Sequence, residues 1–337
     1  MSLKEALGVA ARGEPVPDAA MAGAIADMLS GEADEVRVAA LLTALAVRGE
    51  TPAEIAAGAR AMRAAARTIQ APAGAIDTCG TGGTGLHTLN VSTATALVLA
   101  GLGVPVAKHG NKAASSLSGS ADVLGALGVR TGLAPARSQA MLAEVGIAFL
   151  FAPTHHPAAR HVAGVRRTLG FRTLFNLLGP LSNPAGATRQ LMGVADPALC
   201  RPMAEALGAL GSERAWVVHG EDGLDELTVC GASRACVLSG GTVTERTVTP
   251  EEAGLPRHAP GALRGSDPGH NADALRRLLD GEPGAYRDAV ALNAGAGLIV
   301  AERAGDLAEG ARLAEAALDD GSAKRTLARL IAATEAA

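Results

Sequence analysis

Aromatic residues are scarce in this sequence. They make up 2 % of 337 residues, with one tryptophan and one tyrosine. Because apolar residues still account for 48 % of the chain, the core must consist mainly of small aliphatic side chains that let helices approach closely. A chain of this length buries a full core, either as one large domain or as a large domain with a small one.

An excess of basic residues is also absent, since 30 lysines and arginines face 34 aspartates and glutamates, giving a net charge of −4. Proteins that bind nucleic acid usually carry a basic surface, so we expect no nucleic-acid partner. The longest apolar run, 94–107, is interrupted by Thr95 and Pro105. It is shorter than the ~20 residues that a membrane-spanning helix needs, so we expect no membrane segment.

Secretion signals, metal-binding cysteine patterns and motifs for covalent catalysis are missing as well. Residues 1–8 carry charges but no apolar signal region. The four cysteines lack CxxC or zinc spacing, which predicts reduced thiols in a cytoplasmic protein. No GxSxG, HExxH or Ser–His–Asp spacing is present. The chain therefore suits a reaction in which the substrate carries its own good leaving group, such as diphosphate.

The stretch 75–93 is the most distinctive feature that the sequence does contain. It reads as a short buried strand ending near Cys79, a turn with four glycines, and a long apolar helix from Asn90 to about Gly101. Glycines expose backbone N–H groups and permit positive φ, and a helix N-terminus adds free N–H groups with a partial positive charge. These features suit a phosphate or diphosphate, although a tight turn without a ligand remains an alternative.

The remainder of the chain predicts the fold class, which is α/β with a small N-terminal helical domain. Residues 2 to about 68 read as helices only, with capping boxes at Ser2–Glu5 and Thr51–Glu54. Later, short apolar strands alternate with helices, which predicts a mainly parallel sheet flanked by helices. Ligands bind beyond the carboxyl ends of such strands. The predicted strands after the glycine turn are 104–107, 147–151, 191–195 and 215–218, followed by a hairpin at 228–248 and helices from 267 onward.

Charged and hydroxyl side chains follow two of these strands. Lys108 offers a point charge for phosphate, and serines at 115, 116 and 120 follow it closely, although a solvated lysine is the alternative. Asp225 and Glu226 follow the strand 215–218. Alone they would read as an exposed acidic turn, but beside a phosphate-binding loop they predict a magnesium site, because Mg²⁺ is usually held by one or two carboxylates and substrate phosphates.

Histidines and arginines cluster between 155 and 172. His155, His156 and His161 lack acidic or cysteine partners at matching spacing, so we do not expect a transition-metal site. Arg166 and its neighbour Arg167 lie on the predicted helix that follows. One inward-facing arginine here would pair bidentately with a substrate carboxylate, whereas the others would face solvent.

Taken together, these motifs resemble the anthranilate phosphoribosyltransferase family. The matching stretches occur in one order over most of the chain. They comprise Asp77 with 80–83, Asn90–Thr93, Lys108–Asn111, 115–122, 149–153, 172–184 and 222–226.

The resemblance implies that 5-phosphoribosyl 1-diphosphate and anthranilate are the substrates and that Mg²⁺ is used, with two ions per subunit. It implies electrostatic roles for Lys108, Asp225 and Glu226, and metal binding by Ser92, Asp225 and Glu226. Arg166 would pair with the anthranilate carboxylate, aided by Gly80 and Asn111. The full set of implied substrate-binding residues is Gly80, Gly82, Gly83, Thr84, Thr88, Asn90, Val91, Ser92, Thr93, Lys108, His109, Gly110, Asn111, Ser115, Ser116, Ser120 and Arg166.

The same resemblance implies a division into two domains. The small helical domain would comprise 1–70, joined by the hinge segment 168–184, and would form a homodimer contact. The large α/β domain would comprise 75–167 and 185–337.

One residue departs from the family pattern. The family usually carries aspartate where this chain has Thr84. A hydroxyl there, instead of a carboxylate, predicts weaker capture of one Mg²⁺ ion, with activity retained through Asp225 and Glu226.

Two other functions stay open on the sequence alone. A pyrimidine nucleoside phosphorylase would share the fold, although the Lys-His-Ser-Thr-Gly-Gly stretch of that group is missing here. A non-catalytic relative that binds nucleic acid is the second alternative, which the net charge of −4 disfavours.

Overall fold

The computed structural model describes residues 2–113 and 116–335. Its N-terminal part is a bundle of helices, as predicted. Both capping boxes are present: the Ser2 N–H donates to the Glu5 side chain at 2.6 Å and the Thr51 N–H donates to that of Glu54 at 2.8 Å. The helices are α1 Leu3–Ala10, α2 Asp18–Ser30, α3 Glu35–Arg48 and α4 Pro52–Ala64.

The described part of the large domain contains a seven-stranded sheet in the order β3-β2-β1-β4-β5-β6-β7. The first five strands in this order run parallel, whereas β6 and β7 form the predicted antiparallel hairpin. Gly240 and Gly241 make its turn with φ values of 55° and 76°. The strands are β1 Ile76–Gly80, β2 Val106–Gly110, β3 Ile147–Phe151, β4 Arg189–Gly193, β5 Arg214–Gly220, β6 Ser233–Ser239 and β7 Thr242–Val248.

Helices cover both faces of this sheet. They are α5 Val91–Gly101, α6 Ser120–Ala126, α7 Pro135–Val145, α8 Ala152–His155, α9 Arg160–Leu169, α10 Leu174–Leu181, α11 Cys200–Ala209, α12 Pro268–Leu279, α13 Ala285–Val300, α14 Leu307–Asp319 and α15 Ser322–Glu335. Along β5, Trp216 and Val218 pack in the core formed with α5 and α13, whereas Ala215 and Val217 pack in the core shared with α11 and the bundle. Alternate residues of a strand thus bury both faces of the sheet.

The predicted fold class is confirmed, with a helical bundle beside a mainly parallel sheet. Helix α10 lies within the predicted connecting segment 168–184 and packs against α3 and α4. The domain boundaries themselves stay a prediction. In the part of the chain that the structure describes, no helix is both long and apolar enough to cross a membrane.

The structure corrects the bounds of the second strand. Strand β2 runs from Val106 to Gly110 rather than over 104–107, because Lys108 and His109 pair in register with Phe149 and Leu150 of β3. Lys108, His109 and Gly110 therefore belong to the sheet and not to the loop beyond it.

Candidate active site

The loop that connects β1 to α5 lies at the carboxyl edge of the sheet. Gly82, Gly83 and Gly85 adopt positive φ values of 62°, 85° and 71°, which side chains other than glycine rarely allow. A short antiparallel pairing with a distant segment fixes the far end of the loop, where Thr88 lies opposite Arg264. The loop thus has the open backbone that the glycines predict.

The acidic segment after β5 reaches across to this loop. The Gly82 N–H donates to Asp225 Oδ2 at 3.1 Å, and the Ser92 N–H donates to Glu226 Oε1 at 3.1 Å. This close approach depends on Gly193 at the end of β4, where an added Cβ would lie 1.6 Å from the Asp225 carbonyl oxygen. Gly193 is not among the residues predicted from the sequence, but its position at the carboxyl end of a strand is a signal that could have identified it.

The two carboxylates lie in surroundings that disfavour their charge. Burial raises the pKa of Asp225, although the Gly82 N–H opposes this shift. Burial and the neighbouring Asp225 raise the pKa of Glu226 to about 8, against the effect of Lys108. Buried carboxylates of this kind favour a cation beside them.

Lys108 lies beneath the loop and is 3 % exposed, which excludes the solvated alternative. Its Nζ donates to the Thr78 carbonyl and, at 3.4 Å, to Ser92 Oγ. Burial lowers the pKa of Lys108, and the charges of Asp77, Cys79 and Glu226 oppose that shift. The lysine therefore supplies positive charge from inside the fold.

Asp77 and His109 form a buried layer below the site. Asp77 accepts hydrogen bonds from the His109 N–H at 3.0 Å and from Asn183 Nδ2 at 2.8 Å, while burial raises its pKa to about 6. Burial and the adjacent His156 lower the pKa of His109 to about 3. A histidine with so low a pKa is a poor proton acceptor.

Two of the other three histidines that we considered, His155 and His156, have structural partners. His155 Nδ1 hydrogen-bonds the Arg67 carbonyl oxygen at 2.7 Å, and His156 Nε2 hydrogen-bonds that of Ser182 at 2.9 Å. His161 is exposed. All four cysteines are unpaired, and Cys79 is buried at the strand end as expected.

A second loop, after β2, borders the glycine loop. Asn90 Nδ2 donates to the Ser118 carbonyl at 3.2 Å, and Ser120 Oγ donates to the Asn111 carbonyl at 3.3 Å. Ser116 is exposed, whereas Ser115 lies outside the described residues. These contacts bring Asn90 and Ser118 of the two loops together.

The first turn of α5 contains both buried and accessible members of the predicted set. Val91 is 2 % and Thr93 is 1 % exposed, and the Thr93 hydroxyl has no hydrogen-bond partner within the described residues. Ser92 is half-buried between Glu226 and Lys108.

Thr84 lies in the glycine loop and is also half-buried. Its hydroxyl accepts the Leu86 N–H at 3.3 Å.

Arg166 differs from the arginines near it. It is half-buried, with its guanidinium 5.6 Å from the centre of the Phe175 ring and 3.4 Å from Asn176 Oδ1. Arg167 is exposed, and Arg172 pairs with Glu50 at 3.3 Å. Within the described residues Arg166 has no carboxylate partner. Its contacts are with Phe175 and Asn176 of α10 and not with the glycine loop.

Oxygen atoms at the loop could hold a hard cation. Asp225, Glu226 and Ser92 provide carboxylate and hydroxyl oxygens, the donors that Mg²⁺ prefers. No group of three or more His, Cys, Asp or Glu side chains suited to a metal ion occurs in 2–113 or 116–335. The donor set therefore fits an ion that takes part of its coordination from a substrate, which is usual for Mg²⁺.

Sequence reasoning missed the amides that support the site from the C-terminal helices. Asn271 is 1 % exposed and donates to Asn90 Oδ1 at 2.9 Å. Asn293 is fully buried and binds the backbone of Leu227, next to Glu226. Both interrupt apolar helix faces, and that interruption is the signal that could have identified them.

Comparison with known protein families defines the class. Residues 4–66 match the "Glycosyl transferase family, helical bundle domain" and residues 73–324 match the "Glycosyl transferase family, a/b domain". The two matches together span most of the chain and agree with the observed fold.

Individual relatives make the assignment more specific. An anthranilate phosphoribosyltransferase of Parvibaculum lavamentivorans is 56 % identical over 96 % of this chain and 95 % of its own length. The crystal structure of the enzyme of that name from Thermus thermophilus superimposes with a TM-score of 0.93 at 48 % identity, covering 98 % of this chain and 99 % of that one. The Saccharomyces cerevisiae enzyme, solved in complex with PRPP and Mg, gives a TM-score of 0.90 at 27 % identity over 99 % and 98 % of the two chains.

The chain belongs to the anthranilate phosphoribosyltransferase family. The comparisons support neither a nucleoside phosphorylase nor a nucleic-acid-binding relative.

Proposed function

We propose that this protein transfers the 5-phosphoribosyl group of 5-phosphoribosyl 1-diphosphate to the amino group of anthranilate, giving N-(5-phosphoribosyl)anthranilate and diphosphate. This is the second step of tryptophan biosynthesis from chorismate, and we place it in the cytoplasm. The observation that carries the proposal is the contact of Asp225 and Glu226 with the N–H groups of Gly82 and Ser92.

The phosphorylated sugar binds along the glycine loop and the loop after β2. Backbone N–H groups near Gly83, the Asn90 amide and the Ser116 hydroxyl donate to its phosphate oxygens. Asp225, Glu226 and Ser92 are the residues that would hold Mg²⁺, two ions per subunit, beside the diphosphate. The chemistry that Mg²⁺ supplies when bound is neutralisation of the negative charge of that diphosphate.

Bond exchange occurs at C1 of the ribose. The C1–oxygen bond to diphosphate breaks, its electron pair leaves with the diphosphate, and the lone pair of the anthranilate nitrogen forms the new C1–N bond. Lys108 stabilises the negative charge that develops at the diphosphate, acting from beneath the loop. The nitrogen then loses its proton to water, because the low pKa of His109 makes this side chain a poor acceptor.

Anthranilate is held by its carboxylate. Arg166 is the half-buried arginine in 160–172 without a carboxylate partner in the described chain, and it would supply a bidentate contact. Gly80 and Asn111 complete this part of the site.

The direct test mixes the purified protein with anthranilate, 5-phosphoribosyl 1-diphosphate and Mg²⁺ and follows the loss of anthranilate fluorescence. We expect turnover that needs all three components. Phosphate-dependent cleavage of uridine without Mg²⁺, in the absence of anthranilate turnover, would contradict the proposal and favour a nucleoside phosphorylase.

We also propose a homodimer through the helical bundle. Helix α3 buries Val38, Leu41 and Leu45 inside the bundle, yet its outer face exposes Val36 by 76 % and Val47 by 84 %. The spacing of eleven residues puts Val36 and Val47 on the same face of α3, and burying this apolar surface against a second copy would stabilise a dimer. Sedimentation velocity should show a dimer for the unmodified protein and for the Leu313→Asp control on α14, but a monomer for Val47→Asp. A monomeric unmodified protein would contradict this proposal.

A further inference from the structure

Asn271 is a buried amide that joins α12 to the glycine loop. Its Oδ1 accepts the Ser266 backbone N–H at 2.9 Å. Its Nδ2 donates to the Thr88 carbonyl at 3.2 Å and to Asn90 Oδ1 at 2.9 Å. The side chain thus uses both ends of its amide, and two of its partners, Thr88 and Asn90, belong to the predicted substrate-binding set.

These partners determine the orientation of two amides in succession. A backbone N–H can only donate and a carbonyl can only accept, so Ser266 and Thr88 fix which end of the Asn271 amide is oxygen. Asn90 must then present its oxygen to Asn271, because the nearest atom of Asn271 is a donor. As a result, the Nδ2 of Asn90 is directed to the loop after β2, where one N–H donates to the Ser118 carbonyl.

Within 2–113 and 116–335 no residue accepts the second N–H of the Asn90 Nδ2 group, which leaves this N–H for a ligand. The backbone of Asn90 is held as well, since the Tyr286 hydroxyl donates to its carbonyl at 3.2 Å. Ser118 favours the same orientation through its carbonyl and, at 3.4 Å, through its hydroxyl, which donates to Asn90 Oδ1. Without Asn271, these two long contacts alone would keep the Asn90 amide from turning over and presenting its oxygen, which repels an anion, to the phosphate groups.

We propose that Asn271 is a positioning residue that holds the Asn90 amide with its N–H toward the phosphorylated sugar and keeps the two phosphate-binding loops in register. This inference rests on the proposed function, because the phosphorylated sugar is the ligand assigned to these loops. Asn271 itself does not touch the substrate; it acts through Asn90.

The variant Asn271→Asp tests this role with almost no change in shape. The acceptor for Ser266 is kept, but a carboxylate oxygen replaces the donor that faces Thr88 and Asn90. We expect the KM for 5-phosphoribosyl 1-diphosphate to rise roughly 10-fold to 100-fold, the cost of a lost buried donor, while the KM for anthranilate stays unchanged. If Asn271→Asp does not fold, Asn271→Ser removes the same donor without adding charge.

The matched control is Leu275→Val, one turn further along α12. Leu275 is fully buried and packs in the apolar core, so this change lowers the melting temperature without touching the loop. We expect it to leave both KM values unchanged. If Leu275→Val raises the KM for the sugar as much as Asn271→Asp does, or if Asn271→Asp leaves that KM unaltered, Asn271 is structural and the inference is overturned.

Calorimetric binding of 5-phosphoribosyl 1-diphosphate with Mg²⁺ separates this inference from the proposed function. A protein that binds the sugar but does not consume anthranilate contradicts the proposed function, and the affinities of the Asn271 variants still decide the positioning role. The positioning role is overturned if the unmodified protein and the Asn271 variants bind the sugar with equal affinity, or if none of them binds it.

Discussion

Two buried glutamates of this protein have opposite electrostatic surroundings. Glu54 of the helical bundle is 0 % exposed and Glu226 at the candidate site is 8 % exposed. Glu54 accepts the Val16 N–H at 2.7 Å and forms an ion pair with Arg48. Burial alone would raise the pKa of Glu54, but these contacts and those from Thr51 lower it overall. For Glu226, burial and Asp225 dominate, and the pKa rises to about 8.

The difference separates a structural carboxylate from a functional one. The charge of Glu54 is balanced within the bundle by Arg48 and backbone donors, so it needs no further partner. At the candidate site, Lys108 interacts with two buried carboxylates, Asp77 and Glu226, and Glu226 also has Asp225 beside it. A fold that bears such an imbalance gains from a bound cation, and perturbed carboxylates of this kind cluster at functional sites.

Glu54→Gln should have the largest effect on stability and little effect on the reaction. It leaves Arg48 without its buried counter-charge, which typically costs roughly 3–5 kcal/mol of the free energy of unfolding. Because the folded-state pKa of Glu54 is lowered, the difference from the unmodified protein should shrink as the pH falls below the ordinary range of a glutamate. Urea unfolding between pH 3 and pH 7 measures the loss of unfolding free energy and its decrease at low pH. An unchanged stability at pH 7 would contradict a structural role for the Glu54 charge.

Glu226→Gln should show the reverse pattern. Loss of one electrostatic contact at the transition state typically lowers kcat by about 10²–10³. The raised pKa means that the fold disfavours the charged form, so the glutamine variant should gain stability over the unmodified protein as the pH rises from the ordinary range of a glutamate to about 8, and no further above it. Steady-state rates at pH 8 and urea unfolding at pH 4 and pH 8 test this. A variant that is as unstable as Glu54→Gln would place Glu226 among structural residues.

The same comparison extends to arginines, because Arg172 has its carboxylate partner in Glu50 and Arg166 has none in the described chain. Arg166→Lys keeps the charge but loses the planar fork, so the KM for anthranilate should rise about 10-fold with the KM for the sugar unchanged. The exposed neighbour gives the control, Arg167→Lys, which should behave like the unmodified protein. An equal rise for both substrates would argue against a carboxylate contact.

Much of this arrangement follows from local patterns in the sequence. Capping residues predict the starts of α1 and α4 after Ser2 and Thr51, as the structure has them, and the glycine turn is predicted with its positive φ values. The inclusion of Lys108 in β2 could not be predicted, because it depends on pairing with Phe149 in a distant strand. The same holds for Gly193 and Asn271, whose roles arise from Asp225 and Asn90 across the fold.

The smallest effect is expected at Thr84, which follows Gly82 by two residues in the glycine loop, and the Gly82 N–H donates to Asp225. Its hydroxyl accepts the Leu86 N–H and adds no charge, so Thr84→Asp would add a carboxylate to the magnesium region. At a partly exposed position such a charge contributes ~0.2–1 kcal/mol to the free energy of Mg²⁺ binding. The rate should therefore reach half its maximum at a severalfold lower Mg²⁺ concentration. The neutral control Thr84→Asn has a similar shape and should follow the curve of the unmodified protein. If the Thr84→Asp curve coincides with that of the unmodified protein, Thr84 does not limit the capture of Mg²⁺, and Asp225 and Glu226 account for it.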